Sequence, residues 1–224
     1  MPDIPPLRMI QARIAAVAQG RPVHLLAVSK TRTAEEIRAL AAAGQRSFGE
    51  NYVQEAAAKR TALADLDLDW RLIGHLQSNK CADAARTFDW IESVDREKLL
   101  TPLQRYREPA RGPLNLLIQV NIDDEASKSG CTPAEVPRLA DAIGAFPLLR
   151  LRGLMAIPAP APEPDARRAA FRAMRELFEQ LRAAHASVDT LSMGMSDDFE
   201  IAIQEGATEV RVGTALFGPR HRPA

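Results

Sequence analysis

The chain has 224 residues, 46% apolar and 26% charged, with 29 basic against 29 acidic side chains. This is the composition of a soluble globular protein of one large or two small domains, and zero net charge argues against nonspecific binding to a polyanion. No apolar run approaches the roughly 18 residues of a membrane span, and the opening MPDIPPLRMIQARIAAV lacks a signal peptide's basic start and apolar core.

In chain order, residues 5 to 19 follow Pro5 and Pro6 and put Leu7, Ile10, Ile14 and Val17 on one helical face. HLLAVSK, 24 to 30, reads as a buried strand ending in Lys30. Thr33-Ala34-Glu35-Glu36 behind it is a capping box for a helix that Gly44 should stop. RSFGE, 46 to 50, is a second strand, with Asn51 as the cap of a helix through Arg60. WRLIGHL, 70 to 76, is a third, with Ser78 capping the helix after it. WIESV, 90 to 94, is a fourth, and Asp95 should open another helix. LNLLIQVN, 114 to 121, reads as a fully buried strand.

After the polar loop DDEASKSGC, Thr132-Pro133-Ala134-Glu135 joins a capping box to a proline at the first helical position. LRGLMAI, 151 to 157, is a sixth strand, and PAPAPEP behind it is a stiff loop. Phe171, Met174, Leu177, Phe178 and Leu181 form the apolar stripe of a long helix. TLSMGM, 190 to 195, is a seventh strand, followed by a helix capped near Ser196 or Asp197. EVRVGTALF, 209 to 217, is the eighth. Cys81 and Cys131 lack metal-ligand spacing and read as buried small hydrophobes of a cytoplasmic chain with reduced thiols.

Eight strands alternating with helices predict an α/β fold: a single (β/α)8 barrel domain over residues 1–224, with an extra N-terminal helix. That helix, or a short one from the tail, should cover the gap behind the last strand. The alternative is an open doubly wound sheet. It wants a glycine-rich turn after an early strand, and the turn after Lys30 has no glycine.

In such a barrel the chemistry sits at the C-terminal strand ends. Only five of the 29 basic residues are lysines, and Lys30 is one of them. It is either a lysine snorkelling to solvent or an amine able to attack a carbonyl. Asn51 is a helix cap or an amide offered to a ligand. His75 is a structural histidine or a ring that stacks on a flat ligand, and nothing pairs with it at metal-ligand spacing. Ser196, Gly213 and Thr214 fall after strands seven and eight, the usual phosphate seat of such barrels. Arg211 shares a strand face with Gly213, and is either a cation within the barrel or the partner of a buried acid such as Glu50. Lys128, in the charged loop from Asp123 to Gly130, is within reach of the mouth or lies on solvated surface.

With these residues in hand, the chain resembles the YggS/PROSC family of pyridoxal-phosphate-binding homeostasis proteins from about residue 5 to residue 218. The resemblance rests on LLAVSKT, FGENYVQE, IGHLQSNK, NIDDEASKSG, LRGLMAI, LSMGMSDDFE and VRVGTALFG. It implies a barrel similar to the N-terminal domain of alanine racemase. It also implies a Schiff base between Lys30 and pyridoxal 5'-phosphate, a phosphate held by Ser196, Gly213 and Thr214, and Arg211 facing the pyridine nitrogen. Asn51 would line the ring, and His75 joins it among the cofactor-binding candidates. Arg32 departs from the pattern, since some relatives carry a second lysine there.

An arginine at the pyridine nitrogen keeps its proton, so the ring stays a poor electron sink. Racemisation also needs a second acid/base on the opposite face, supplied in barrel racemases by an additional domain that is not seen in this sequence. The expected function is therefore a monomeric carrier that buffers pyridoxal phosphate and hands it to apo-enzymes, with little or no turnover. The alternatives are an amino-acid racemase or decarboxylase, or a barrel for another phosphorylated metabolite with Lys30 merely pairing with its charge.

Overall fold

A computed structural model describes residues 4–123, 129–159 and 163–218. Its centre is a closed barrel of eight parallel strands in sequence order. They are β1 (His24–Val28), β2 (Ser47–Glu50), β3 (Asp69–Leu72), β4 (Trp90–Val94), β5 (Leu114–Val120), β6 (Leu149–Ala156), β7 (Thr190–Ser192) and β8 (Glu209–Val212). The helices are α1 (Pro5–Ala18), α2 (Ala34–Ala42), α3 (Val53–Ala62), α4 (Cys81–Thr87), α5 (Leu100–Tyr106), α6 (Val136–Gly144), α7 (Pro164–Ala184), α8 (Phe199–Gln204) and α9 (Thr214–Phe217). The closed ring replaces the doubly wound alternative.

Local signals set several boundaries. Thr33 and Glu36 form the capping box that starts α2, and Gly44 follows that helix at φ +103°. Thr132 and Glu135 form a second box, which opens a 3-10 turn leading into α6. Other caps fall elsewhere than the sequence indicates. Asn51 precedes α3 by two residues, with Tyr52 at the cap position. Ser78 begins a 3-10 turn instead of capping a helix, and Asp95 binds Arg96. α8 is entered through Asp198, whose Oδ1 accepts the Met195 N–H at 2.7 Å, so Ser196 and Asp197 lie in the turn before it.

Most of the core lies between the barrel wall and the helices, where Leu25, Ala27, Phe48, Leu72, Ile91, Leu116 and Leu154 point outward. The stripe of α7 packs there through Phe171, Met174, Phe178 and Leu181. Cys81 and Cys131 are buried free thiols, and burial pushes Cys131 up to about 12. α1 lies along α8 and α9, and Arg13 grips both carboxylate oxygens of Glu200 at 3.0 Å. The N-terminal helix and the short tail helix thus together cover the region behind the last strand. TALF, read from the sequence as strand, is helix α9, because β8 ends at Val212 and the chain turns at Gly213.

Candidate functional site

β1 and β8 are neighbours, with Leu26 opposite Arg211 and Ala27 opposite Val212. Strand alternation carries Leu26, Val28 and Lys30 along the inner face to the C-terminal mouth. Ser29 is buried and Lys30 half-buried. Thr31 then takes φ +64°, a left-handed conformation rare for a β-branched residue, and the chain reverses with Arg32 N–H bonding Ser29 O at 3.0 Å. Across the seam Gly213 lies so close that an added Cβ would stand 3.3 Å from Val28 Cβ. The register thus sets Val28, two residues before Lys30, against Gly213, which Thr214 follows, where the last strand closes on the first.

Ser196 lies in the turn after β7, on the side next to β8. That turn depends on Gly194, at φ +92°, where an added Cβ would be 2.5 Å from Ala202 Cβ. Arg211 is buried inside the barrel. Its Nη1 donates to Ser192 Oγ and its Nη2 to Ala156 O, both at 2.8 Å. Burial lowers its pKa, against the pull of Glu92 and Glu209. Those two and Asp198, and not Glu50, are its acidic neighbours. Glu50 instead accepts from Ser29 Oγ at 2.5 Å and from Lys59 Nζ at 2.8 Å.

Asn51 and His75 occupy the β2–β3 side of the mouth. The ends of these strands come together because Gly74 has no side chain: a Cβ there would be 2.2 Å from Asn51 O. This approach also ends β3 at Leu72, earlier than the sequence indicates. Asn51, Ile73, Gly74, His75, Gln119 and Ile157 line a hollow of about 250 Å³. His75 is exposed, with Nδ1 3.7 Å from Asp95 Oδ2. Lys128 lies outside the described residues. Arg32 is buried and works structurally: it reaches Glu36 Oε1 at 3.2 Å, bonds Gly218 O, and stacks 5.4 Å from the Phe217 ring. It fastens the tail to the turn beside Lys30.

Two buried charged clusters support this mouth. Below it, Arg71 bonds Glu209, Glu92 accepts from Ser192 Oγ at 2.8 Å, and Ser192 accepts from Arg211. Behind the Lys30 turn, Lys59 of α3 donates to Ser29 O at 2.7 Å, Glu50 Oε1 at 2.8 Å and Glu55 Oε1 at 2.7 Å. Among the described residues no group of three His, Cys, Asp or Glu could hold a metal ion, and no helix is long and apolar enough to cross a membrane.

Residues 7–221 match the family model for the alanine racemase N-terminal domain. The chain is 55% identical over 216 residues to the pyridoxal phosphate homeostasis protein of Pseudomonas aeruginosa, covering 94% of this chain and 93% of that one. The chain belongs to the pyridoxal phosphate homeostasis proteins. PipY of Synechococcus elongatus, solved without PLP, is 41% identical with a TM-score of 0.81 over 93% of this chain and 100% of its own. PipY solved with PLP bound gives a TM-score of 0.79 at 40% identity, again over 93% of this chain and 100% of that one. Alanine racemase from Corynebacterium glutamicum shares the fold, at 20% identity and a TM-score of 0.70, over 99% of this chain and 63% of that one.

Within this homeostasis-protein barrel, Glu92, Ser192, Glu209, Arg71, Glu55 and Lys59 are residues that sequence reasoning did not single out. Glu92 had a signal: it is a carboxylate inside WIESV, on the same strand face as Trp90. Lys59 and Glu55 show only helical i, i+4 spacing, which usually marks a surface pair.

Proposed function

We propose that this chain binds pyridoxal 5'-phosphate covalently and reversibly, buffers it and passes it to apo-enzymes, without turning over a substrate of its own. The observation that carries the reading is the β1–β8 register, which sets Val28, two residues before Lys30, against Gly213 above the buried Arg211. The donor set fits such a group. An amine can take an aldehyde, hydroxyls and backbone N–H groups can take a phosphate, and a cation can face a ring nitrogen. When bound, pyridoxal phosphate supplies an electrophilic aldehyde and a conjugated ring.

The Lys30 amine, entering unprotonated, adds to the aldehyde carbon and yields both its hydrogens to the carbonyl oxygen, which leaves as water while C=N replaces C=O. Ser196, Gly213 and Thr214 would hold the phosphate, while Asn51 and His75 border the ring. Arg211 would face the pyridine nitrogen without giving it a proton, which keeps the ring a weak electron sink and favours storage over carbanion chemistry. A monomeric barrel in the cytoplasm, where Cys81 and Cys131 stay reduced, suits this role.

The test is the spectrum of the purified protein loaded with pyridoxal phosphate. A band at about 420 nm, lost on borohydride reduction and absent from Lys30→Ala, is the expected result. A full chain that forms no adduct on Lys30 would sink the reading. Rapid solvent deuterium exchange at the α-carbon of an amino acid would replace the carrier with a racemase or decarboxylase.

A further inference from the structure

Both peptide groups that flank the Lys30 α-carbon are held by one ion pair on α3. The carbonyl before Lys30, Ser29 O, accepts from Lys59 Nζ at 2.7 Å, and the amide after it, Thr31 N–H, donates to Glu55 Oε1 at 2.6 Å. Lys59 and Glu55 are joined at 2.7 Å. The third Lys59 hydrogen goes to Glu50, so all three of its donors are used. Glu50 in turn accepts the Ser29 hydroxyl, which ties the strand end to the same cluster.

The turn held in this way is strained. Thr31 is exposed and β-branched, and its φ of +64° lies where such residues are rare. A conformation of this kind persists only when its surroundings over-determine it. An ion pair with Lys59 buried and Glu55 half-buried adds little stability of its own, and what it supplies to the turn is fixed geometry. Resting on the proposed binding of pyridoxal phosphate through Lys30, we propose that Lys59 and Glu55 are positioning residues: they clamp the Ser29–Thr31 turn so that the Lys30 amine meets the aldehyde carbon. Neither touches the cofactor. They set the condensation step and leave phosphate capture, across the seam at Gly213 and Thr214, to other groups.

This separation gives a readout that a merely structural role would not move. Two ligands are titrated against the full-length chain: pyridoxal phosphate, which condenses with Lys30, and 4-deoxypyridoxine phosphate, which has the ring and phosphate but no aldehyde. In Lys59→Met the affinity for pyridoxal phosphate should fall about tenfold, through loss of a hydrogen bond from a charged donor. Affinity for the deoxy analogue should stay within about twofold. Glu55→Gln, which leaves Lys59 paired with Glu50, should show the same split to a smaller degree and replaces Lys59→Met if that variant does not fold. Equal losses for both ligands, or no loss for either, would overturn the clamp while the wild-type adduct on Lys30 stands. A wild type that binds both ligands equally and yields no borohydride-trapped adduct would instead overturn the binding reading, and the clamp with it.

Discussion

Glu92 and Glu209 share one guanidinium inside the barrel: Arg71 Nη1 bonds Glu209 Oε2 and lies 3.7 Å from Glu92 Oε1. Both carboxyls are buried, and as two carboxylates neither would find a donor for its Oε1 among the described residues. Two anions so placed do not both ionise. Burial, and then the adjacent Glu209, pushes Glu92 well above the usual carboxylate range. Burial also acts on Glu209, but Arg71 and His24 outweigh it and hold that group below its usual value. Glu92 is thus the neutral acid and Glu209 the anion. Through Ser192 the neutral acid helps to seat Arg211, the cation proposed to face the ring.

This assignment makes stability depend on pH. Because its folded pKa is raised, the contribution of Glu92 is complete below the usual value of 4.5 and is lost as pH rises through the elevated one. Glu92→Gln, uncharged throughout, should flatten the fall in urea midpoint from about pH 5 to pH 8. Glu209→Gln removes one of the two buried carboxyls at Arg71 but leaves Asp69 at 2.8 Å and lets Glu92 ionise in its place, so it should cost about 1–3 kcal/mol. Parallel pH profiles in wild type and Glu92→Gln would mean that Glu92 is ionised in the folded protein.

The alternation of apolar runs with capping boxes made the barrel legible, and WIESV even matches Trp90–Val94 at both ends. Strand ends were harder, because they depend on neighbouring strands. β3 stops where Gly74 meets Asn51, and β8 stops where α9 packs on α1. Lys30, Gly213 and Thr214 could be named from sequence because they follow strands that any eight-stranded barrel would bring side by side. Lys59 could not, since only the fold shows that its ammonium reaches back to the carbonyl before Lys30.

Gly74 tests how closely the β2 and β3 ends must meet. In Gly74→Ala the new Cβ would stand 2.2 Å from Asn51 O and 2.7 Å from Asn51 Cα, backbone atoms that cannot swing aside. The strand ends must part, at a cost of about 1–3 kcal/mol. Asn51 should shift and the affinity for pyridoxal phosphate should weaken. Gly144→Ala, at the end of α6 with nothing within 4 Å, is the control and should leave the denaturation midpoint unchanged or raise it.

Arg32 tests whether the departure from a lysine there is structural. A lysine at this position keeps the charge but cannot span Glu36 Oε1 and Gly218 O with one planar fork, nor stack on Phe217 in the same way. Arg32→Lys should therefore loosen the end of α9 and speed amide exchange at Leu216 to Gly218. Arg32→Ala should cost about 0.5–1.5 kcal/mol by removing the hydrogen bond to the half-buried Gly218 O. Unchanged exchange in both variants would remove the fastening role.

Thr31 offers a gain of stability in place of a loss. Its side chain is exposed, so little packing is lost on substitution, and its φ of +64° is costly for a branched Cβ. Asparagine tolerates this conformation far better and, unlike glycine, adds little freedom to the unfolded chain. Thr31→Asn retains the backbone N–H that Glu55 Oε1 accepts at 2.6 Å, so the clamp on the Lys30 turn is kept. The variant should be more stable by up to about 1 kcal/mol, read as a higher urea midpoint, with the Lys30 adduct intact. A lower midpoint would mean that the threonine side chain has a role in the folded protein beyond its backbone. A higher midpoint with a weakened adduct would mean that the strain itself helps to present the amine, which glycine at the same position should reproduce.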